Sequence, residues 1–229
     1  GDISRQTVMN KVRRAKELKL EVPEEKRKVR YLNVEADEDH VSLQDGTNTI
    51  VPLISIHEGV ERKGKRGKCI NIHHISSHGK KVEEMWQEAA DWIYSVYDED
   101  AIEKIYLHGD GASWIKTGLS YLPKAEFVLE RYHLNKAIKE ISRGDELVNE
   151  KLMEAVMEAD KESVREICRE LRRKAETDKE KKKVDQFRSY ITTNWEGILS
   201  YQEEGSRGSN TEGHAINVKI VVSNSCFFA

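Results

Sequence analysis

The stretch from Tyr106 to Ile115 reads YLHGDGASWI, an apolar run that halts at Gly109-Asp110-Gly111. A carboxylate flanked by glycines where a strand stops leaves room for a metal ion and a second backbone to approach. Oxygen ligands of that kind suit Mg²⁺ or Mn²⁺. Two such ions about 3.5–4 Å apart activate an attacking oxygen and stabilise a leaving one at a phosphodiester. The competing reading of the same residues is a plain Gly-Asp-Gly turn. Metal chemistry needs a second carboxylate on a neighbouring strand, and YLNVEADEDHVSLQ offers Glu35, Asp37 and Asp39. All three fall on one face by two-residue alternation, and the residues alone do not choose among them. Three carboxylates on one face of a central strand are costly without a cation.

The elements that must position these groups follow from periodicity. In RYLNVEADEDHVSLQ, Leu32, Val34 and Ala36 alternate with Asn33, Glu35 and Asp37, as in a strand. Asp45-Gly46 supplies a hairpin turn. TIVPLISIHEG is a second strand, ERKGKRGKC a basic glycine-containing turn, and KCINIHHIS a third strand. KKVEEMWQEAADWIYSVY repeats apolar residues at helical spacing. A strand in AIEKIYLHGD, a short helix over residues 112–121, a strand in AEFVLE and a helix at RYHLNKAIKEI complete the order β-β-β-α-β-α-β-α. That order predicts an α/β protein with a mixed sheet and a ribonuclease-H-like core over residues 31–142. Right-handed crossovers place the last two strands beside the first.

Residues 143–204 are charged and helical, a large α-helical insertion with apolar stripes from Leu147, Leu152, Val156, Val164, Ile167, Leu171, Val184 and Phe187. Residues 205–229 form a poorly charged tail in which Ile216, Val218, Ile220 and Val222 alternate as in a strand. At the other end, residues 1–22 read as a basic helix capped by Ser4. Its opening, with Arg5 and Thr7, is that of a helix-turn-helix recognition helix, so a partial helix-turn-helix is expected.

Composition narrows the class. Lys+Arg 38 nearly balance Asp+Glu 41, for a net charge of −3, so net charge alone points to no nucleic acid. No apolar run is long enough to span a bilayer, and the first twenty residues have no signal-peptide core. Cys69, Cys168 and Cys226 are odd in number and widely spaced, which excludes a disulfide framework or CxxC zinc site and fits a reducing cytoplasm. His73 and His74 point to opposite faces of a strand and cannot easily share a metal, which rejects zinc there together with His78. GDGAS lacks the Gly-Lys-Ser/Thr of a phosphate-cradling loop.

Four segments taken in order, YLNVEADEDHVSLQ, YLHGDGASWIKTGL, LPKAEFVLERYHLNKAI and GSNTEGH, resemble the ISLre-type bacterial insertion-sequence transposases, a group also described as an uncharacterised transposase-like family. SRQTVMNKVR is similar to the end of that family's helix-turn-helix. The resemblance implies a DDE transposase that cuts and joins DNA with Mg²⁺ or Mn²⁺. By the matching motifs the catalytic and metal-binding residues would be Asp37, Asp110 and Glu212, with the helical insertion before the last. His133 in ERYHLNK matches a histidine of related transposases and could contact a phosphate or orient a ligand. Implied partners are DNA, at transposon ends and target, and further copies of the chain in a homo-oligomer, in a nucleoid-associated cytoplasmic setting. In the family the residues after NTEGH continue as a long helix, whereas AINVKIVVSNSCFFA alternates; a truncated or degenerate copy is therefore expected.

Other residues admit DNA contacts. Arg62, Lys63, Lys65, Arg66 and Lys68 crowd the basic turn and could grip phosphates, or simply solvate it. Trp114 could stack on a base or be buried against the sheet. Two alternatives to a transposase stay open: a non-catalytic DNA-binding or regulatory remnant, and a ribonuclease-H-like nuclease acting on RNA or branched DNA.

Overall fold

A computed structural model describes residues 23–42, 48–63, 66–76 and 79–202. Its largest unit is a five-stranded mixed sheet. The strands are β1 (Tyr31–Ser42), β2 (Asn48–His57), β5 (His73–Ser76), β6 (Lys104–Gly109) and β7 (Ala125–Leu129). Their order across the sheet is β5-β2-β1-β6-β7. β2 is antiparallel to β1 and to β5, whereas β6 is parallel to β1 and β7 parallel to β6. The last two strands thus lie beside the first, as the crossover rule requires.

The expected third strand is shorter than its sequence suggests. KCINIHHIS divides: Arg66–Cys69 forms β4, which pairs with β3 (Val60–Lys63) in a separate two-stranded hairpin, and only His73–Ser76 joins the main sheet. The break is local. Asn71 has φ of +51°, a left-handed conformation that Asn tolerates better than most residues and that no strand can contain.

Strand alternation sorts the core. Leu32, Val34 and Ala36 of β1, Ile54 and Ile56 of β2, and Ile105 and Leu107 of β6 are all buried. Burying each Leu or Ile contributes roughly 1.5–3 kcal/mol. Helix α1 (Val82–Val96) adds Met85, Trp86, Ala89, Ala90, Ile93 and Val96 to the same core. Its start is fixed where Glu84 accepts the Lys81 backbone N–H at 3.0 Å, and Glu83 and Glu84 complement the helix dipole. Trp92 of α1 stacks on His73, ring centroids 4.2 Å apart, and His73 is the register partner of Ile56. Helix α1 therefore covers the Ile54/Ile56 face.

Beyond α2 (Ser113–Thr117) and α3 (Arg131–Ser142) comes the helical block: α4 (Glu146–Met157), α5 (Lys161–Lys174), α6 (Asp178–Thr193) and α7 (Trp195–Leu199). The starts of α4, α5 and α6 are written in sequence. Asp145, Asp160 and Thr177 each accept a first-turn N–H. Leu152, Val156, Val164, Val184 and Phe187 are buried as their spacing predicts, but Leu147 is 60% exposed. It sits in the first turn of α4, outside the stripe that Leu152, Ala155 and Val156 bury. The proposed N-terminal helix and the strand-like tail lie outside the described residues.

The block closes one sheet edge. Ser200 donates to the Phe127 carbonyl at 3.1 Å, and the Tyr201 hydroxyl donates to the Leu129 carbonyl. Both occupy acceptors on β7, the outer strand, where unpaired backbone would otherwise invite pairing with another chain. Gly197 permits this approach. A Cβ placed there would meet the Phe127 ring at 2.6 Å and the Leu129 nitrogen at 2.9 Å. Gly197→Ala should therefore lower stability by about 1–3 kcal/mol in urea denaturation, despite alanine's better helix propensity; an unchanged midpoint would show that α7 does not press on β7.

Candidate catalytic site

The parallel pairing of β1 with β6 sets the geometry. Asn33 pairs with Tyr106, Val34 with Leu107 and Glu35 with His108. Gly109 comes next, and a Cβ added to it would lie 3.2 Å from the Ala36 carbonyl oxygen and 2.8 Å from Ile115. The glycine is therefore needed where β6 passes closest to β1 and α2. Asp110 is the first residue past the end of β6, and carrying the register two residues beyond the last pair would bring it level with Asp37. Alternation turns Asp37 toward the sheet face opposite Val34. Each carboxylate is steadied through one oxygen: Asp37 Oδ1 accepts the Glu38 N–H at 2.8 Å, and Asp110 Oδ1 accepts the Ala112 N–H at 2.8 Å. Gly111 follows with φ of +95°, which only glycine adopts without strain.

A third acidic residue stands at the end of β7. The Glu130 N–H donates to the Gly109 carbonyl at 2.9 Å, and the 5%-exposed Glu130 side chain pairs with His133 at 3.3 Å. His133, flagged by sequence, thus stands one turn into α3 against a buried carboxylate. Glu130 itself was not singled out, although the i, i+3 spacing in ERYH carries the signal. Tyr190, from the helical block, reaches the same region. Burial, and then the negative charges of Asp110 and Glu130, push its hydroxyl pKa well above the usual tyrosine value.

Beneath Asp37 and Asp110 lies a row of buried polar side chains: Asn33, Glu35, Ser55, His57 and His108. His57 Nε2 meets Glu35 Oε1 at 3.1 Å, while its Nδ1 accepts the Gly59 N–H at 3.1 Å. His108 Nε2 donates to Asn33 Oδ1 at 3.0 Å. Glu35 was one of three carboxylates expected to need a cation. It takes a hydrogen bond from His57 instead, and the face that alternation gave to polar residues is buried rather than solvated. Asp37, two residues on, is only partly buried. The side chain of Asp39 lies outside the described residues.

The other sequence-derived candidates fall elsewhere. The basic turn is the β3–β4 hairpin, with Lys68 exposed on β4. The side chains of Arg62, Lys63 and Arg66, and the whole of Lys65, Arg5, Thr7 and Glu212, lie outside the described residues. Trp114 packs against Trp86, whose indole N–H donates to the Trp114 carbonyl at 2.8 Å. His73 and His74 do face opposite sides, His73 stacked on Trp92 and His74 Nδ1 2.9 Å from Ser55 Oγ. Among the described residues no three His, Cys, Asp or Glu side chains are grouped to hold a metal ion. No described helix is long and apolar enough to cross a membrane.

Comparison with known proteins fixes the family. A model of the uncharacterised protein family UPF0236 matches residues 2–220, and the chain belongs to that family. A UPF0236 protein of Caldanaerobacter subterraneus subsp. tengcongensis is 44% identical over 218 residues, covering 94% of this chain and 47% of the relative. The name of that relative joins eleven gene designations. A second protein of that organism is 42% identical over 219 residues. A UPF0236 protein from the vanSb 3′ region of Streptococcus gallolyticus is 28% identical over 207 residues. The chain spans about half the length of the curated relatives it matches.

His108 gives a pH test of the buried row. Burial lowers its pKa from 6.5 to about 4. The unfolded chain therefore binds a proton that the folded chain refuses, so stability is full above about 6.5 and falls as pH drops toward about 4. His108→Gln, which keeps a donor toward Asn33, should flatten the urea midpoint across that interval; an unaltered slope would place the acid sensitivity elsewhere.

Proposed function

We propose that this chain carries a ribonuclease-H-like core of a DDE-type DNA transposase, with Asp37 and Asp110 as two of its catalytic carboxylates. The single observation that carries this reading is the parallel register of β1 on β6, which, carried just past the end of β6, would bring Asp110 level with Asp37. The strand order β5-β2-β1-β6-β7, with three antiparallel strands followed by two parallel ones, supports it. One protein name shared by eleven gene designations in a relative is also what a self-copying element would leave. Because the chain spans about half of its relatives, the activity, DNA substrates and partners proposed here belong to the whole protein.

The donor set fits a hard cation as far as it extends. Asp37 and Asp110 offer carboxylate oxygens of the kind Mg²⁺ and Mn²⁺ prefer, and Glu212 is the third ligand the reading requires. When bound, the metal would supply Lewis acidity that spreads charge at the phosphoryl group. The protein's own part is to hold attacker and phosphodiester in line. Water, and then a DNA 3′-hydroxyl, forms a bond to phosphorus as the bond to the leaving 3′ oxygen breaks. The attacker's proton passes to solvent, and the leaving oxygen takes one from it. Gly109 and Gly111 let Ile115, the Ala36 carbonyl and the Asn194 amide pack closely on either side of Asp110. The basic β3–β4 hairpin is a candidate phosphate grip.

The test is Mn²⁺-dependent nicking and joining of DNA carrying the element's ends. Asp37→Asn and Asp110→Asn, each checked for an intact fold, should each lower the rate by about 1,000-fold. Nicking that survives Asp110→Asn refutes the assignment. Salt-sensitive DNA binding without nicking, indifferent to both substitutions, would indicate a regulatory remnant, and preferential cutting of RNA would indicate a ribonuclease.

A further inference from the structure

The end of α6 presents two buried polar atoms to the Asp110 turn, and neither has a hydrogen-bond partner among the described residues: the Tyr190 hydroxyl and Asn194 Oδ1. They belong to one turn of chain, since Asn194 Nδ2 donates to the Tyr190 carbonyl at 2.9 Å. That bond fixes which end of the amide faces outward. Asn194 is 4% exposed, and its Oδ1 would lie 2.5 Å from a Cβ built on Gly111, the residue after Asp110. Lys116 of α2 anchors the same turn by donating to the Thr193 carbonyl at 3.2 Å. Buried, unpartnered polar atoms are rare in folded proteins, because each forfeits its hydration.

The chemistry of the niche restricts what could satisfy it. Asn194 Oδ1 only accepts. The carboxylates of Asp110 and Glu130 accept when ionised and repel an anion. Tyr190 can donate, and the Lys116 ammonium already gives a hydrogen bond to the Thr193 carbonyl. A phosphate oxygen, which only accepts, would satisfy Tyr190 but leave Asn194 Oδ1 unpaired. A hydroxyl group satisfies both, taking a hydrogen bond from Tyr190 and giving its own to Asn194.

We propose that Tyr190 and Asn194 are positioning residues that hold the attacking hydroxyl, water or a DNA 3′-hydroxyl, beside Asp110. This rests on the transposase reading, and it gives the helical block a direct part in the reaction. The block would seat the nucleophile while the sheet supplies the carboxylates. Gly111 is required because any side chain there would fill the space the amide occupies.

Tyr190→Phe removes only the hydroxyl oxygen. If that oxygen is merely a buried, unsatisfied group, the variant will match the wild type in activity and equal or exceed it in thermal stability. If it holds the nucleophile, stability will again hold or rise, but the maximal rate should fall by up to about 100-fold with DNA affinity unchanged. Two assay arms separate the occupants. Loss in hydrolytic nicking alone identifies water, and loss in strand joining identifies the 3′-hydroxyl. Wild-type rates in both arms overturn the proposal. Asp110→Asn run alongside tells the two ideas apart: nicking that survives it defeats the transposase reading, whereas nicking abolished by it but indifferent to Tyr190→Phe defeats only this one. Should the protein cut no DNA at all, crystallography decides. An ordered water bonded to both Tyr190 and Asn194 Oδ1 sustains the hydroxyl niche, and a dry contact between them refutes it.

Discussion

Parallel pairing of β1 with β6 is the constraint from which the rest follows. It joins a hairpin-built half of the sheet to a half built by crossovers, and it does so at the strand that carries Asp37. A slip of one residue would turn Asp37 to the opposite face while Asp110 stayed where it is. Several independent features oppose such a slip. Asn33 is bonded to His108 across the pair, Glu35 is bonded to His57 on the other flank, and Gly109 fits against the Ala36 carbonyl only in this register.

The buried polar row is therefore more than a tolerated expense. Glu35 and His57 desolvate together, and their separation of 3.1 Å returns part of that cost. Leu or Val at those positions would pack as well but would leave the register less sharply defined, because apolar contacts accept a shift that a directed hydrogen bond does not. On the far face α1 contributes bulk through Trp86 and Ile93, with no comparable directionality. One side of the sheet holds the strands together, and the other holds them in step.

Much of this was legible in the sequence. Period-two alternation gave β1 and β2, the glycines marked the end of β6, and the crossover rule placed β6 and β7 beside β1. Helical spacing gave α1, and Asp and Thr caps marked the starts of the block's helices. The rest depended on distance. Glu35 and His57 are 22 residues apart, and only the hairpin register brings them together. Asn71 ends a strand by a positive φ that neighbouring apolar residues conceal. Leu147 is apolar but sits about 140° round the helix from Leu152 and about 180° from Val156, so it faces away from the buried stripe. Tyr190 and Asn194 were invisible for a further reason: the approach of Asn194 to Gly111 is set by how the end of α6 docks, and no local pattern encodes that.

The central claim is that Asp37 and Asp110 act as one site, and Mn²⁺ binding followed by calorimetry or paramagnetic resonance in a double-mutant cycle tests it most directly. If the two carboxylates share an ion, Asp37→Asn and Asp110→Asn will each weaken binding, and the double variant will lose much less than the two losses combined. Strictly additive losses, or Mn²⁺ affinity that neither substitution alters, would mean the two aspartates stand level on their strands without serving a common ion.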